Sequence, residues 1–281
     1  MNRANGKKTM QKNEFGIGGQ LLLYLVLVGF VCLTLAPLVW LFFSSFKTTT
    51  EFHLNKLGLP RAWTTINYPT AWRIGNFTTL LMNSFFYTLL TLGAVIVLSL
   101  AASFAFAKIR SKATPFLHGS FVIGIMLTIQ SLMVPLFLMA YWTRLYDTRL
   151  GVMIPYIGLG LPIGIYLCTE FIKGIPDALL ESARIDGAGY LGIFARIVVP
   201  MSKPVVTTLA VLNFAGVWNE FMLINILVSK ESLKSLPVGM MKFSGALASD
   251  YGKQFAALVI GLVPMVIFYL VFHKRITQGV F

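Results

Sequence analysis

Charge is scarce in this chain. Asp, Glu, Lys and Arg together make up 12% of its 281 residues, where a soluble domain carries about a quarter, so most of the surface cannot face water. Cysteine is scarcer still: Cys32 and Cys168 both lie inside apolar runs, without metal-ligand or disulfide spacing, and read as packing residues. The three histidines, His53, His118 and His273, are far apart and offer neither a metal cluster nor a nucleophile-base pair. No glycine-rich phosphate loop of the Gly-x-x-x-x-Gly-Lys-Ser/Thr type occurs. Gly6-Lys7-Lys8-Thr9 lacks the upstream glycine, and Gly158-Leu159-Gly160 sits in an apolar run, where close helix packing is the better reading. These absences exclude catalysis and nucleotide binding by this chain, and with them cofactors and metals of its own. There is no soluble domain, low-complexity tract or short repeat.

What is present is apolar length, with hydrophobic residues at 57%. Six runs, at about 21–43, 82–106, 116–140, 151–171, 204–228 and 255–272, each approach the 20 residues that cross a bilayer as helix. The first is too long for the core of a cleaved signal peptide. The sequence therefore predicts one all-α integral membrane domain of six transmembrane helices over 1–281. Lys and Arg outnumber Asp and Glu by 23 to 10, but they are scattered over short connections, which fits insertion topology and anionic lipid rather than nucleic acid. Lys108, Arg110 and Lys112 crowd one short turn, whereas the long connection 47–81 spreads its basic residues thinly. That density places both termini and the connection 173–203 in the cytoplasm.

The connection 173–203 is polar and punctuated by glycine. Leu180, Ala183, Arg184 and Gly187 fall at i, i+3, i+4 and i+7, and Leu191, Phe194 and Val198 continue a stripe beyond Gly187 and Gly189. The pattern predicts two short helices joined at a glycine bend, with Asp177 favouring the start of the first and Pro200 discouraging continuation of the second. Glu181-Ser182-Ala183, three residues, Gly187, nine residues, then Ile197-Val198-Val199-Pro200 resembles the Glu-Ala-Ala…Gly…Ile-x-Leu-Pro hallmark of the permease subunits of binding-protein-dependent ABC importers, with Ser182 and Val199 as the departures. Ser103-Phe104-Ala105-Phe106-Ala107 with Arg110, Leu145-Tyr146-Asp147-Thr148 with Gly151, and Trp218-Asn219-Glu220-Phe221 are similar to its carbohydrate-uptake, maltose-type branch. The chain departs from that branch in stopping at Gly279-Val280-Phe281.

The resemblance implies the type I importer permease fold in a bacterial or archaeal cytoplasmic membrane. It implies a second permease subunit, two ATP-binding subunits that carry ATP and Mg, and an extracytoplasmic solute-binding protein facing loops near 67–76 and 244–253. It assigns coupling to the ATPase to Glu181, Ser182, Ala183, Asp186, Gly187, Leu191, Phe194, Ile197 and Pro200, with Leu191 and Phe194 as apolar anchors.

Sugars are bound through hydrogen bonds and aromatic faces, so Asn83, Tyr87, Gln130, Asn213, Asn219 and Glu220 are the candidates for a substrate path, each also readable as an interhelical hydrogen bond. Glu220 is the one strongly ionisable residue within a predicted span, structural or path-lining. The absence of an ion relay argues against the alternative of an ion-coupled secondary carrier. A polyol or glycerol phosphate is the alternative cargo.

Overall fold

The computed structural model describes residues 17–109, 111–244 and 250–278. The basic leader, Arg110, part of the loop 244–253 and Gly279-Val280-Phe281 lie outside the described residues. The described chain is helical, without strands. In order come α1 (Ile17–Ser44), α2 (Thr49–Leu54), α3 (Asn67–Gly75), α4 (Phe77–Lys108), α5 (Thr114–Gly124), α6 (Ile129–Trp142) and α7 (Arg149–Lys173). Then follow α8 (Asp177–Ile185), α9 (Tyr190–Ile193), a π-turn (Phe194–Val198), α10 (Val199–Met201), α11 (Lys203–Asn219), α12 (Met222–Leu227), α13 (Leu236–Ser244) and α14 (Tyr251–Gln278).

Four helices, α1, α4, α7 and α14, are long and apolar enough to cross a membrane alone, and two bent pairs bring the number to six if each is one span. Here the structure corrects the expected boundaries. The run 116–140 is not one continuous helix: α5 and α6 meet at 104°, with Gly124 against the Pro162 ring and Thr128 extended ahead of α6. The run 204–228 ends as α11 at Asn219, where Glu220 is extended and α12 starts afresh. Before it, 190–201 meets α11 at 71°.

The parallel pair α4 and α7 forms the axis. Gly160 and Gly164, one helical turn apart, face Val95 and Ser99 of α4; a Cβ on Gly160 would stand 2.6 Å from Asn213 Oδ1 and 2.8 Å from Val95, and one on Gly164 would strike Ser99. Small residues at this spacing let backbones approach where no hydrophobic effect drives helices together. Gly158, by contrast, faces open space, so of the Gly158-Leu159-Gly160 run only Gly160 has the packing role. Below the seam, Val95, Leu100, Phe104, Cys168, Ile172 and Leu209 build a buried core that α8, α9 and the π-turn join through Leu180, Ile193 and Val198 respectively. At the other end Phe214 stacks on Phe268 at 3.7 Å between ring centres, and Trp218 lies edge-on to Phe85 at 4.8 Å. Helix α1 is exposed over most of its length and meets the bundle near its end, where Trp40 packs edge-on against Phe255.

The loops at that far end are pinned from the helices. Asp147, with φ +60°, donates its N–H to Leu227 O at 3.0 Å, while its Oδ1 accepts from Ser229 N (3.1 Å) and Lys230 N (2.9 Å). Thr148 Oγ1 caps α7 by accepting from Gly151 N at 3.1 Å. Burial alone would raise the Asp147 carboxyl, but the two backbone N–H groups and the Lys230 ammonium outweigh it and hold it below its ordinary value.

Two outcomes follow from this packing. Gly164→Leu should part α4 from α7 and destabilise the detergent-solubilised protein by about 1–3 kcal/mol, the scale of overpacking, whereas Gly158→Ala should leave its thermal transition unchanged. Because the Asp147 pKa is depressed on folding, its contribution is complete above the unfolded value near 3.8 and is lost as pH falls through the lower folded one. Hydrogen exchange at 227–231 in wild type should therefore converge on that of Asp147→Asn below that window and be slower above it.

Candidate functional site

At one end of the bundle, α8 and α9 form the bent knob. Its first helix stops because Gly187 takes φ +82°, a left-handed position that favours glycine. Gly187 N donates to Arg184 O (3.0 Å) and Ala188 N to Ala183 O (2.9 Å), the paired bonds of a Schellman cap. Nothing lies within 4 Å of a Cβ at either Gly187 or Gly189, so Gly187 is required by backbone conformation rather than by crowding. Leu180 anchors the knob inward, and Ala183 packs beside it.

The predicted coupling residues divide by direction. Glu181, Ser182, Asp186, Gly187, Leu191 and Pro200 are exposed, with Leu191 at 80%. Phe194 and Ile197 turn inward onto the same core, Phe194 lying 5.6 Å from the Phe104 ring. Phe194 is thus an internal anchor, not the outward one expected from its stripe. The π-turn it begins adds a residue to the turn and shifts the register of the residues that follow. Ile185, 86% exposed, and Tyr190, under the Arg184 guanidinium at 5.0 Å, complete the outer face. Their signal in the sequence was an apolar side chain off the inward stripe.

The predicted path residues do not form one group. Asn83 Nδ2 donates to Ser232 O (2.8 Å) and Lys234 O (3.0 Å), Tyr87 donates to Leu233 O (2.9 Å), and Ser84 Oγ accepts from Leu236 N (2.8 Å). This row on α4 holds the loop 232–236 in place. Gln130 and Asn219 are exposed, Asn219 bonding back to Ala215 O at 3.0 Å. Asn213 and Glu220 do come together, lining a cavity of about 190 Å³ with Tyr156, Gly160 and Gly216. Tyr156, absent from the expected set because it stands alone in an apolar run, donates to Glu220 Oε2. The same carboxylate accepts from Leu223 N (2.7 Å) and Ile224 N (3.3 Å), capping α12. Glu220 is therefore structural and cavity-lining at once. Among the described residues no group of three or more His, Cys, Asp or Glu is placed to hold a metal ion.

Residues 98–281 match the family model for the binding-protein-dependent transport system inner membrane component. The diacetylchitobiose uptake system permease protein NgcG of Streptomyces coelicolor is 30% identical over 88% of this chain and 83% of its own length. The multiple sugar-binding transport system permease protein MsmG of Streptococcus mutans is 32% identical over 88% of this chain and 90% of its own. A solved bacterial ABC transporter involved in the import of the acidic polysaccharide alginate contains a chain with the same fold, at a TM-score of 0.82 and 23% identity, covering 94% of this chain and 99% of that one.

The Glu220 geometry sets an ordering of variants. Glu220→Ala leaves two backbone donors without their acceptor and should cost about 1–3 kcal/mol, while Glu220→Gln keeps a carbonyl acceptor and should lose less. Thermal unfolding of the purified protein in detergent gives the ranking, and an Ala variant as stable as wild type would contradict it.

Proposed function

This chain belongs to the inner-membrane components of binding-protein-dependent transport systems, the permease subunits of ABC importers, and from that premise we propose that it forms part of the path of a sugar or oligosaccharide and couples that path to ATP hydrolysis by a separate subunit. The observation that carries the coupling is the knob: a capped, bent helix pair whose inner face packs into the core while Glu181, Ile185, Asp186 and Leu191, close in sequence, stand exposed. An apolar anchor rimmed by charge is the usual make-up of a docking surface. The knob sits in the cytoplasm and enters a cleft on an ATP-binding subunit, two of which hold ATP and Mg. Their closure moves two permease chains, this one and a second, between inward- and outward-open states.

The cargo reading rests on the relatives named for diacetylchitobiose and multiple sugars, and on the cavity of Asn213, Tyr156 and Glu220. That cavity pairs an aromatic ring with hydrogen-bonding groups, the chemistry that suits hydroxyl-rich solutes. A solute-binding protein delivers the cargo from outside, at the face opposite the knob.

Two measurements test this. Proteoliposomes holding the chain with its partner permease, ATP-binding subunits and binding protein should accumulate a labelled oligosaccharide only with internal MgATP; uptake driven by an ion gradient without ATP would refute the reading. Gly187→Glu puts a side chain onto the outer face at a left-handed position, and should cut uptake at least about tenfold, the equivalent of about 1.4 kcal/mol of coupling, with membrane insertion intact. Wild-type uptake by that variant would remove the knob from the mechanism.

A further inference from the structure

The knob is joined to α7 by Gly174-Ile175-Pro176 alone, a linker too short to form a helix of its own and closed to helix continuation by Pro176. Such a joint is a hinge unless something crosses it. Among the described residues, Lys108 does. Lys108, the last residue of α4, places its ammonium 2.6 Å from Ile175 O, 3.4 Å from Lys173 O and 2.7 Å from Asp177 Oδ1. One nitrogen thus holds the end of α4, the end of α7 and the first turn of α8.

Each of the three bonds has a physical reason. Lys173 O is the last carbonyl of α7 and Ile175 O lies just beyond it, both at the negative end of the helix dipole, where a cation is favoured. Asp177 begins α8, where a carboxylate is favoured. The burial of the pair is lopsided: the Lys108 side chain is 6% exposed, Asp177 73%. A surface ion pair between two solvated groups would hold nothing, but here the ammonium is shielded and its protein acceptors replace water. Further attachments of the knob, among them Leu180, Ile193 and Val198 against Cys168, Ile172 and Leu209 and Phe194 against Phe104, are apolar. They hold the knob on the bundle, and the Lys108 bonds add direction at the joint itself.

We propose that Lys108 is a positioning residue that locks the hinge at 174–176, so that the knob, α4 and α7 move as one body when the ATP-binding subunits close. The inference rests on the coupling role given above to the knob, and adds that the angle between knob and spans is set by one lysine from a different span. Lys108→Met keeps the apolar stem and removes the charge and donors. Lys108→Arg keeps both.

The test uses the whole complex, with partner permease, ATP-binding subunits and binding protein. Spin labels are placed on Ala178, exposed on α8, and Val97, exposed on α4, in a background carrying Cys32→Ser and Cys168→Ala, and read by pulsed EPR without nucleotide and with MgATP and vanadate. ATP hydrolysis is measured with and without the binding protein. Wild type and Lys108→Arg should give one narrow distance distribution in both states. Lys108→Met should broaden it and reduce the stimulation of ATP hydrolysis by binding protein at least about fivefold, and Asp177→Asn should do the same to a smaller extent. A Lys108 that merely capped α7 would lower the yield of complex while leaving width and stimulation at wild-type levels in the complexes that form; that result overturns the proposal. If Lys108→Met does not assemble, Asp177→Asn decides, an unchanged width counting against. A wild-type complex without ATP hydrolysis would sink the coupling reading instead, and the label distances alone would then judge the lock.

Discussion

Hydrocarbon supplies no hydrogen-bond partner, so a chain that crosses it must satisfy its own backbone, and wherever a helix stops the exposed groups must be met by side chains. Several breaks in this structure are met in this way. Where α11 gives way to α12, the Glu220 carboxylate accepts the N–H groups of Leu223 and Ile224. Where the loop 232–236 has no helix to satisfy it, Asn83 and Tyr87 reach its carbonyls from α4. Beyond α1, the fully buried Lys47 donates to Asn55 O at 2.7 Å and Gly58 O at 2.6 Å. Burial pushes that ammonium below its ordinary pKa, with Glu51 opposing. At the knob end, Lys108 performs the same service for the end of α7.

Asn83, Tyr87 and Glu220 are therefore closures of neighbouring backbone, and this bounds what is left for a solute. A side chain whose donors are spent on a neighbouring backbone is not available to a sugar hydroxyl. Asn83 and Tyr87 are spent in this way. Asn213 is only partly so, bonding Leu209 O on its own helix at 3.1 Å and keeping its carbonyl toward Gly160 and the small cavity. The cavity exists because Gly160 and Gly216 lack side chains at its wall, and Tyr156 and Glu220 hold its polar rim together.

How far the sequence could be read follows from the same physics. Apolar length is a strong signal, so the long helices α1, α4, α7 and α14 stand where the runs suggested. The knob was legible through spacing, because a left-handed residue calls for glycine and a helix start favours Asp177. The bend between α5 and α6 was not, because an apolar run gives no periodicity for a break to interrupt, and Gly124 and Thr128 are ordinary residues in a span. Phe194 was grouped with Leu191 because the two stand three residues apart on one expected stripe, and it takes the fold to show Leu191 exposed and Phe194 against Phe104. Lys108 carried no distinguishing mark beside Arg110 and Lys112: three basic residues at a span end read as topology, and it takes the fold to bring Lys108 to the end of α7.

The rigid and the bent parts of the bundle have different origins. Gly160 and Gly164 against Val95 and Ser99 weld α4 to α7 through close backbone approach, and packed interiors of this kind transmit displacement rather than absorb it. The bent pairs flank this axis: α5–α6 joins α7 where Gly124 meets Pro162, and 190–201 turns into α11 beside the shared core. A force applied at the knob thus meets a stiff body first and angular joints second. If the knob is held to the stiff body by a directional bond as well as by apolar contact, its displacement becomes rotation of α4 and α7 together, and the joints take up the change in angle. Rigid-body switching of this kind needs few large internal rearrangements, only small shifts at hinges amplified by a packed element that cannot deform.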